Sequence, residues 1–194
     1  GGDGYLYGFE PAPVEVDGLP TLKERWRLDA NAASYRTKDG QPITYATAPG
    51  PSEIIATPVT VDGVVYVSIG QDPEHGPGVG RLTAMDPTQE GDVTDSATLW
   101  TYDGISRSIS TVAVSAGIVF AADYEGRLHA VHQKTGKPLW VHDTNAHMWG
   151  SPFVVDGRVY IGNEDGMLSV LKVSKRKKIL AEIPLTAPMY TTPV

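Results

Sequence analysis

Thr111-Val112-Ala113-Val114-Ser115-Ala116-Gly117-Ile118-Val119-Phe120-Ala121 recurs without a gap as Ser151-Pro152-Phe153-Val154-Val155-Asp156-Gly157-Arg158-Val159-Tyr160-Ile161. It is also found upstream as Thr57-Pro58-Val59-Thr60-Val61-Asp62-Gly63-Val64-Val65-Tyr66-Val67, and a further copy starts at Thr192-Pro193-Val194. The copies begin 54, 40 and 41 residues apart, which sets a unit of about 40 residues with insertions in its first occurrence. In each copy a short apolar run meets Asp-Gly or Ala-Gly, the residue pair of a two-residue hairpin turn with positive φ. The run after the turn is almost continuously apolar, as in Gly117-Ile118-Val119-Phe120-Ala121-Ala122. Such a strand is buried on both faces.

A third strand follows in each unit, at Arg81–Met85, Arg127–Val131 and Met167–Leu171. A fourth carries Trp100, Trp140 or, in the last unit, Leu180. Four strands per unit of about 40 residues is the pattern of a propeller blade. The expected fold class is all-β, a partial β-propeller of four-stranded antiparallel blades. Strands are predicted near 56–61, 64–69, 81–85, 98–102, 111–114, 118–122, 127–131, 138–142, 152–155, 158–162, 167–171 and 178–183. Upstream, Gly4–Phe9 and Arg25-Trp26-Arg27 supply strands three and four of a blade whose first half is absent. The expected organisation is one incomplete propeller over 1–194. It comprises a half blade (1–29), an inserted loop (30–53), blades over 54–104, 105–144 and 145–185, and the first strand of a next blade (186–194). The expectation for the natural protein is a fragment of a seven- or eight-bladed propeller, its remaining blades supplied by about 150–200 further residues of the same chain.

The stretch Ala122-Asp123-Tyr124-Glu125-Gly126-Arg127-Leu128-His129-Ala130-Val131-His132-Gln133-Lys134-Thr135-Gly136-Lys137-Pro138-Leu139-Trp140 resembles the tryptophan-docking repeat of the pyrroloquinoline-quinone-like propellers. Thr135, Gly136 and Trp140 match that repeat, Trp100 and Trp26 occupy the tryptophan position of other units, and His132 stands where aspartate is usual. The last unit has Ser174-Lys175-Arg176-Lys177-Lys178 in place of the Thr-Gly-Lys turn. The resemblance implies that each tryptophan packs between blades against a neighbour's turn. The superfamily divides into quinoprotein dehydrogenases, which hold pyrroloquinoline quinone and calcium on the propeller axis, and non-enzymatic scaffolds similar to the outer-membrane assembly lipoprotein BamB. Repeat proteins of planctomycete-type bacteria resemble this chain in particular. By resemblance the location is periplasmic or otherwise extracytoplasmic.

Composition narrows the function classes. Of 194 residues 41% are apolar and 20% charged, in the range of a globular domain. A net charge of −7 argues against a general nucleic-acid binder, which must neutralise phosphates. The run Lys172–Lys178 reads as a solvated turn on this acidic chain. No apolar run is long enough to span a bilayer. With no cysteine there is no disulfide, thiolate metal site or cysteine nucleophile. The segment Gly76–Gly80 is glycine-rich but opens no helix, so it is not a phosphate cradle.

Blade topology places the strand two-to-three loops and the inter-blade connections on one face. That face should carry Asp72, Glu74, His75, Asp103, Arg107, Asp123-Tyr124-Glu125, Asp143, His147, Trp149, Glu164 and Asp165. One reading is a polar, acidic binding face for a divalent cation or a cationic partner. The plainer reading is that loops are polar because they meet water, and His75, His147 and Trp149 are an ordinary loop's histidines and a packing aromatic. No nucleophile is paired with a base, so the leading expectation is a scaffold that binds a protein or a cell-surface polymer, with no cofactor. The alternative is a piece of a quinoprotein alcohol-type dehydrogenase, binding pyrroloquinoline quinone with calcium.

Overall fold

The computed structural model describes residues 1–44, 46–47, 50–76 and 78–193. Tyr45, Ala48 and Pro49 of the inserted loop, Pro77 of the glycine-rich segment and Val194 of the fourth repeat copy lie outside the described residues.

Helical structure among the described residues is confined to two single 3-10 turns, Ala33–Tyr35 and Pro73–His75. The strands are β1 (Tyr5–Phe9), β2 (Val14–Val16), β3 (Leu19–Thr21), β4 (Glu24–Asp29), β5 (Thr37–Lys38), β6 (Gln41–Pro42), β7 (Val59–Val61), β8 (Val64–Ser68), β9 (Leu82–Met85), β10 (Gly91–Asp92) and β11 (Thr98–Tyr102). They continue with β12 (Ala113–Ser115), β13 (Ile118–Ala122), β14 (Arg127–His132), β15 (Pro138–Asp143), β16 (Phe153–Val155), β17 (Arg158–Gly162), β18 (Met167–Lys172) and β19 (Ile179–Pro184). Three antiparallel meanders result: β7-β8-β9-β11, β12-β13-β14-β15 and β16-β17-β18-β19. The hairpins β7–β8, β12–β13 and β16–β17 turn on Asp62-Gly63, Ala116-Gly117 and Asp156-Gly157. All six residues have φ between 47° and 78°, as a type I′ turn requires.

The sheets stack face to face, and the second strand of each meander explains its unbroken apolar sequence. Along β13, Ile118, Phe120 and Ala122 pack on Val159, Ile161 and Leu171 of the following sheet. The alternate residues Val119 and Ala121 pack on Tyr66, Leu82 and Ala84 of the preceding one. In β8 the same alternation sends Val65 and Val67 toward Leu6 and Leu28, while Tyr66 faces forward. Side chains of period two thus feed two different cores.

A chain of side-chain hydroxyls links the innermost strands. The N–H of Thr57 donates to Thr111 Oγ1 (3.1 Å), that of Thr111 to Ser151 Oγ (2.9 Å), and that of Ser151 to Thr192 Oγ1 (3.0 Å). Residues 186–193 form no strand, so Thr192 holds this place from irregular backbone.

Two features of the fold go beyond the sequence expectation. Residues 86–97, between the third and fourth strands of the first full unit, form a strap that reaches back to the preceding sheet. There β10 pairs parallel to β4, Arg27 meets Asp92 at 3.4 Å, and the Asp29 N–H donates to Thr94 Oγ1. The inserted segment 30–53 contains the β5–β6 hairpin. It is anchored by Arg36, which grips both Asp29 carboxylate oxygens at 2.6 and 2.7 Å and lies over the Tyr5 ring.

Candidate functional site

The matching tryptophans do dock between sheets. The Trp100 indole N–H donates to the Gln133 carbonyl (2.9 Å) of the next sheet's turn, and the ring lies against Gly136. A Cβ at Gly136 would come within 2.7 Å of that ring, and φ there is +67°, so glycine is required on both counts. Thr135 closes the same turn, its N–H donating to the His132 carbonyl. The Trp140 indole N–H donates to the Ser174 carbonyl (2.8 Å), so the lysine-rich turn keeps the acceptor although Thr-Gly-Lys is missing. Trp26 stands opposite Gly8 across the β1–β4 pair and packs with Val93 and Ala97 of the strap. Room for each indole comes from the cross-strand neighbour, which is Gly8, Ala84 or Ala130.

A buried polar contact recurs beneath the loop face, between the fourth strand of one sheet and the third strand of the next. Tyr102 Oη meets His129 Nδ1 at 3.1 Å, and His129 Nε2 meets Asp123 Oδ2 at 2.9 Å. Asp123 also accepts the backbone N–H groups of Ser106 and Arg127. One sheet on, His142 Nε2 meets Ser169 Oγ at 3.1 Å, and Asn163 Oδ1 accepts the Met167 N–H, as Asp123 Oδ1 accepts that of Arg127. Burial raises the Tyr102 phenol above its ordinary range, and the Asp123 carboxylate adds to the rise. These groups are sealed, with Asp123 0%, His129 2% and His142 3% exposed.

At the first junction the fourth-strand position is Leu28 and the third-strand position is Thr83. Thr83 Oγ1 is buried and finds no hydrogen-bond partner among the described residues. An orphaned buried hydroxyl is a liability of about 1–3 kcal/mol. Thr83→Val, which keeps the shape, is therefore expected to leave the denaturation midpoint unchanged or raise it. A loss above about 1 kcal/mol would show that the hydroxyl is satisfied.

His142 provides a pH dependence. Burial holds its imidazole below the ordinary histidine range, Lys177 pushes the same way, and Glu182 and Asp143 oppose. The unfolded chain then binds the proton more readily than the folded one. The contribution is complete above the unfolded value, about pH 6.5, and is lost as pH falls toward the lower folded value. Urea midpoints measured between about pH 7.5 and 5 should decline less in His142→Gln than in the parent chain. Equal declines would remove His142 as the cause.

The expected loop-face residues fall into two groups. Asp72, Glu74, His75 and Arg107 belong to the 71–78 loop and its support. Asp72 accepts the Glu74 N–H and caps the 3-10 turn, and His75 Nδ1 meets Gln71 Oε1 at 2.8 Å. Arg107 is 5% exposed and donates to the Gly76 carbonyl (3.1 Å), with burial lowering its guanidinium pKa. These contacts shape a loop.

The second group converges. His147 stacks on Tyr124 with ring centroids 4.3 Å apart and planes 8° from parallel. Trp149 stands edge-on to Tyr124 at 5.2 Å and to Tyr190 at 5.8 Å, and its indole N–H donates to Glu164 Oε2 (3.0 Å). Burial raises the Tyr124 phenol pKa, with Glu164 adding to the rise. Beside this array lies a cavity of about 220 Å³ lined by Glu125, Asn145, Ala146, His147, Glu164 and Asp165. A larger groove of about 480 Å³ runs from Gly78 and Val79 past Asp103 to Ser106 and shares Glu125 as a wall. Asp143 lies at the edge, capping the Asn145 N–H and meeting Arg127 at 3.8 Å. Tyr190 completes the surface that the sequence reading left without it, and Asp123, expected on this face, is sealed beneath it in the junction between sheets.

Among the described residues no three His, Asp or Glu side chains gather so as to hold a metal ion. No helix among the described residues is long and apolar enough to cross a membrane.

The family model described as outer membrane protein assembly factor BamB matches residues 79–179, just over half of the chain. The chain belongs to this family. The structure of BamB from Moraxella catarrhalis superimposes with a TM-score of 0.68 at 18% identity, over 99% of this chain and 48% of that one. That likeness shows the propeller fold. Among curated proteins, a 1-butanol dehydrogenase (cytochrome c) of Thauera butanivorans is 35% identical over 125 residues, which covers 56% of this chain and 16% of the relative. A quinohemoprotein alcohol dehydrogenase of Comamonas testosteroni is 34% identical over 124 residues, covering 55% and 16%. The serine/threonine-protein kinase AfsK of Streptomyces griseus is 31% identical over 162 residues, covering 79% and 18%. The chain spans about a sixth of the length of these curated relatives. Stretches similar to this chain thus lie within proteins named as dehydrogenases and as a kinase, and likeness of this kind does not by itself fix a function.

Proposed function

We propose that this chain is a non-catalytic propeller module that binds a protein partner through its loop face, outside the cytoplasm. The observation that carries the reading is how the polar groups divide. The titratable groups with the geometry of a relay, Tyr102, His129 and Asp123, are tied into hydrogen bonds between sheets, two of them almost fully buried. The groups left at the surface line shallow, open grooves built from three or more loops, which suits contact with an extended partner. Membership of a family described as an outer membrane assembly factor supports the extracytoplasmic placement.

The dehydrogenase relatives, at 34–35% identity, support a second reading in which the chain is part of a quinone-binding enzyme. Titrating the chain with pyrroloquinoline quinone and Ca²⁺ while following the quinone absorbance separates the two. The scaffold reading expects no saturable change, and a dissociation constant near the micromolar range would replace it with the enzyme reading. In extracts of the source organism, a photo-crosslinker at residue 147 should capture a defined partner and one at residue 177 should not. Equal capture from both faces would remove the loop face as the binding surface.

A further inference from the structure

The groove beside His147 has a composition that selects a kind of partner. His147 and the carboxylates Glu125, Glu164 and Asp165 line it, Arg127 pairs with Glu125 at 2.8 Å from outside the lining, and the rings of Tyr124, Trp149 and Tyr190 stand beside it. Glu164 engages the Trp149 indole through one oxygen and keeps the other. Tyr190 is 57% exposed, so the array ends in an open ring. The flat Tyr124–His147 stack and the edge-on Trp149 set ring planes at right angles within a few ångströms. Cations are drawn to such ring faces, and more strongly where a carboxylate stands beside them.

The surface is also preorganised. Backbone hydrogen bonds tie its loops together, from Met148 to Tyr124, from Glu164 to His147 and from Met189 to Asn163. Met148 beneath is fully buried. Loops fixed in this way lose little freedom on binding. Charge is segregated as well. The run Lys175–Lys178 lies in the turn between β18 and β19, at the opposite end of the strands, so a cationic partner is steered toward the loop face.

We infer that the groove lined by His147, Glu164 and Asp165, with the rings of Tyr124, Trp149 and Tyr190 beside it, receives an arginine or lysine side chain from an extended segment of the partner polypeptide. Glu125 is paired with Arg127 at 2.8 Å and Asp103 with Arg81 at 2.6 Å, so the attraction for a cationic side chain comes from Glu164 and Asp165. This rests on the reading that the loop face binds a protein, and it can fail while that reading stands.

The test uses the whole chain and a fluorescein-labelled, end-capped (Arg-Gly)₃ peptide, with binding followed by anisotropy at about 0.15 M salt, where long-range attraction is screened. Saturable binding is expected, weakened about tenfold in Glu164→Gln/Asp165→Asn. Glutamine keeps an acceptor for the Trp149 indole, so the array itself is retained. The charge-matched control is Asp62→Asn/Asp156→Asn in the turns of the opposite face, where asparagine tolerates the positive φ. It should bind as the parent does. Tyr190→Ala should also weaken binding, through the ring alone. Absence of saturable peptide binding, or equal losses in the two double variants, would overturn the inference. So would preferential binding of a neutral oligosaccharide such as chitohexaose. If photo-crosslinking at residue 147 still captures a protein in those cases, the loop-face reading survives and only the cationic side chain is wrong.

Discussion

Replacing Trp140 with alanine is expected to lower the unfolding free energy by about 3–5 kcal/mol, the cost of truncating a buried aromatic. The indole is 8% exposed and packs among Ile118, Phe120 and Ala130 of its own sheet and Val159 and Leu171 of the next, with its ring 5.8 Å from that of Phe120. Its N–H also satisfies the Ser174 carbonyl in the neighbouring turn. Truncation therefore opens a cavity between two sheets and removes a hydrogen bond that ties one to the other. Stacked repeats hold together through such neighbour contacts, so the last sheet should begin to unfold on its own and broaden the urea transition. Two controls isolate the cause. Lys177→Ala, on an exposed side chain, should stay within about 0.5 kcal/mol. Leu180, which the sequence comparison aligned with Trp140, is displaced by a turn one residue longer, so that Ala181 stands opposite Val170 as Trp140 stands opposite Ala130. Leu180 is 43% exposed, and its truncation should cost far less. Similar midpoints for Trp140→Ala and Lys177→Ala would mean that the docking contact does not hold the sheets together.

Much of this architecture is legible in the sequence because its determinants are local and repeated. The Asp-Gly and Ala-Gly turns fix the hairpins, and the unbroken apolar run at Ile118–Ala122 announces a strand flanked by two cores. First strands are shorter than expected, starting at Val59, Ala113 and Phe153, because the residues before them bond sideways through Thr and Ser hydroxyls. The β2–β3 and β5–β6 hairpins escaped the repeat comparison, having no copies. Yet Asp17-Gly18 and Asp39-Gly40 carry the same turn signal, with φ values of 51°, 77°, 52° and 74°. The strap at 86–97 could not be read, because parallel pairing of β10 with β4 depends on two segments 65 residues apart. On the loop face the sequence placed His147, Trp149, Glu164 and Asp165 on one side of the fold. Their convergence is tertiary, as is the separation of the Asp72–His75 group, whose polar atoms serve their own loop.

Removing the Asp123 carboxylate should be the second large effect, with Asp123→Ala losing about 3–5 kcal/mol. Three donors share that carboxylate, namely His129 Nε2 and the N–H groups of Ser106 and Arg127. Each buried donor left without an acceptor is a penalty of about 1–3 kcal/mol, and losses inside one network do not simply add. Asp123→Asn should be milder, since Asn163 fills the corresponding place one sheet on and still accepts the Met167 N–H. The same comparison predicts coupling. Ser169 stands where His129 does, so His129→Ser should be better tolerated together with Asp123→Asn than in the parent chain, where it leaves the buried Oδ2 with the Ser106 N–H alone. A double-mutant cycle on Asp123→Asn and His129→Ser should return at least about 1 kcal/mol of favourable coupling, and additivity within about 0.3–0.5 kcal/mol would show that the two side chains act independently. A spectroscopic readout separates charge from packing. The Asp123 carboxylate is the second cause, after burial, of the raised Tyr102 phenol pKa. Asp123→Asn should therefore bring the Tyr102 tyrosinate absorbance in at lower pH, but not as low as an exposed tyrosine, because burial remains. An unmoved titration in that variant would show that the relay does not carry the carboxylate's charge to Tyr102, leaving the three residues a packing feature of the junction.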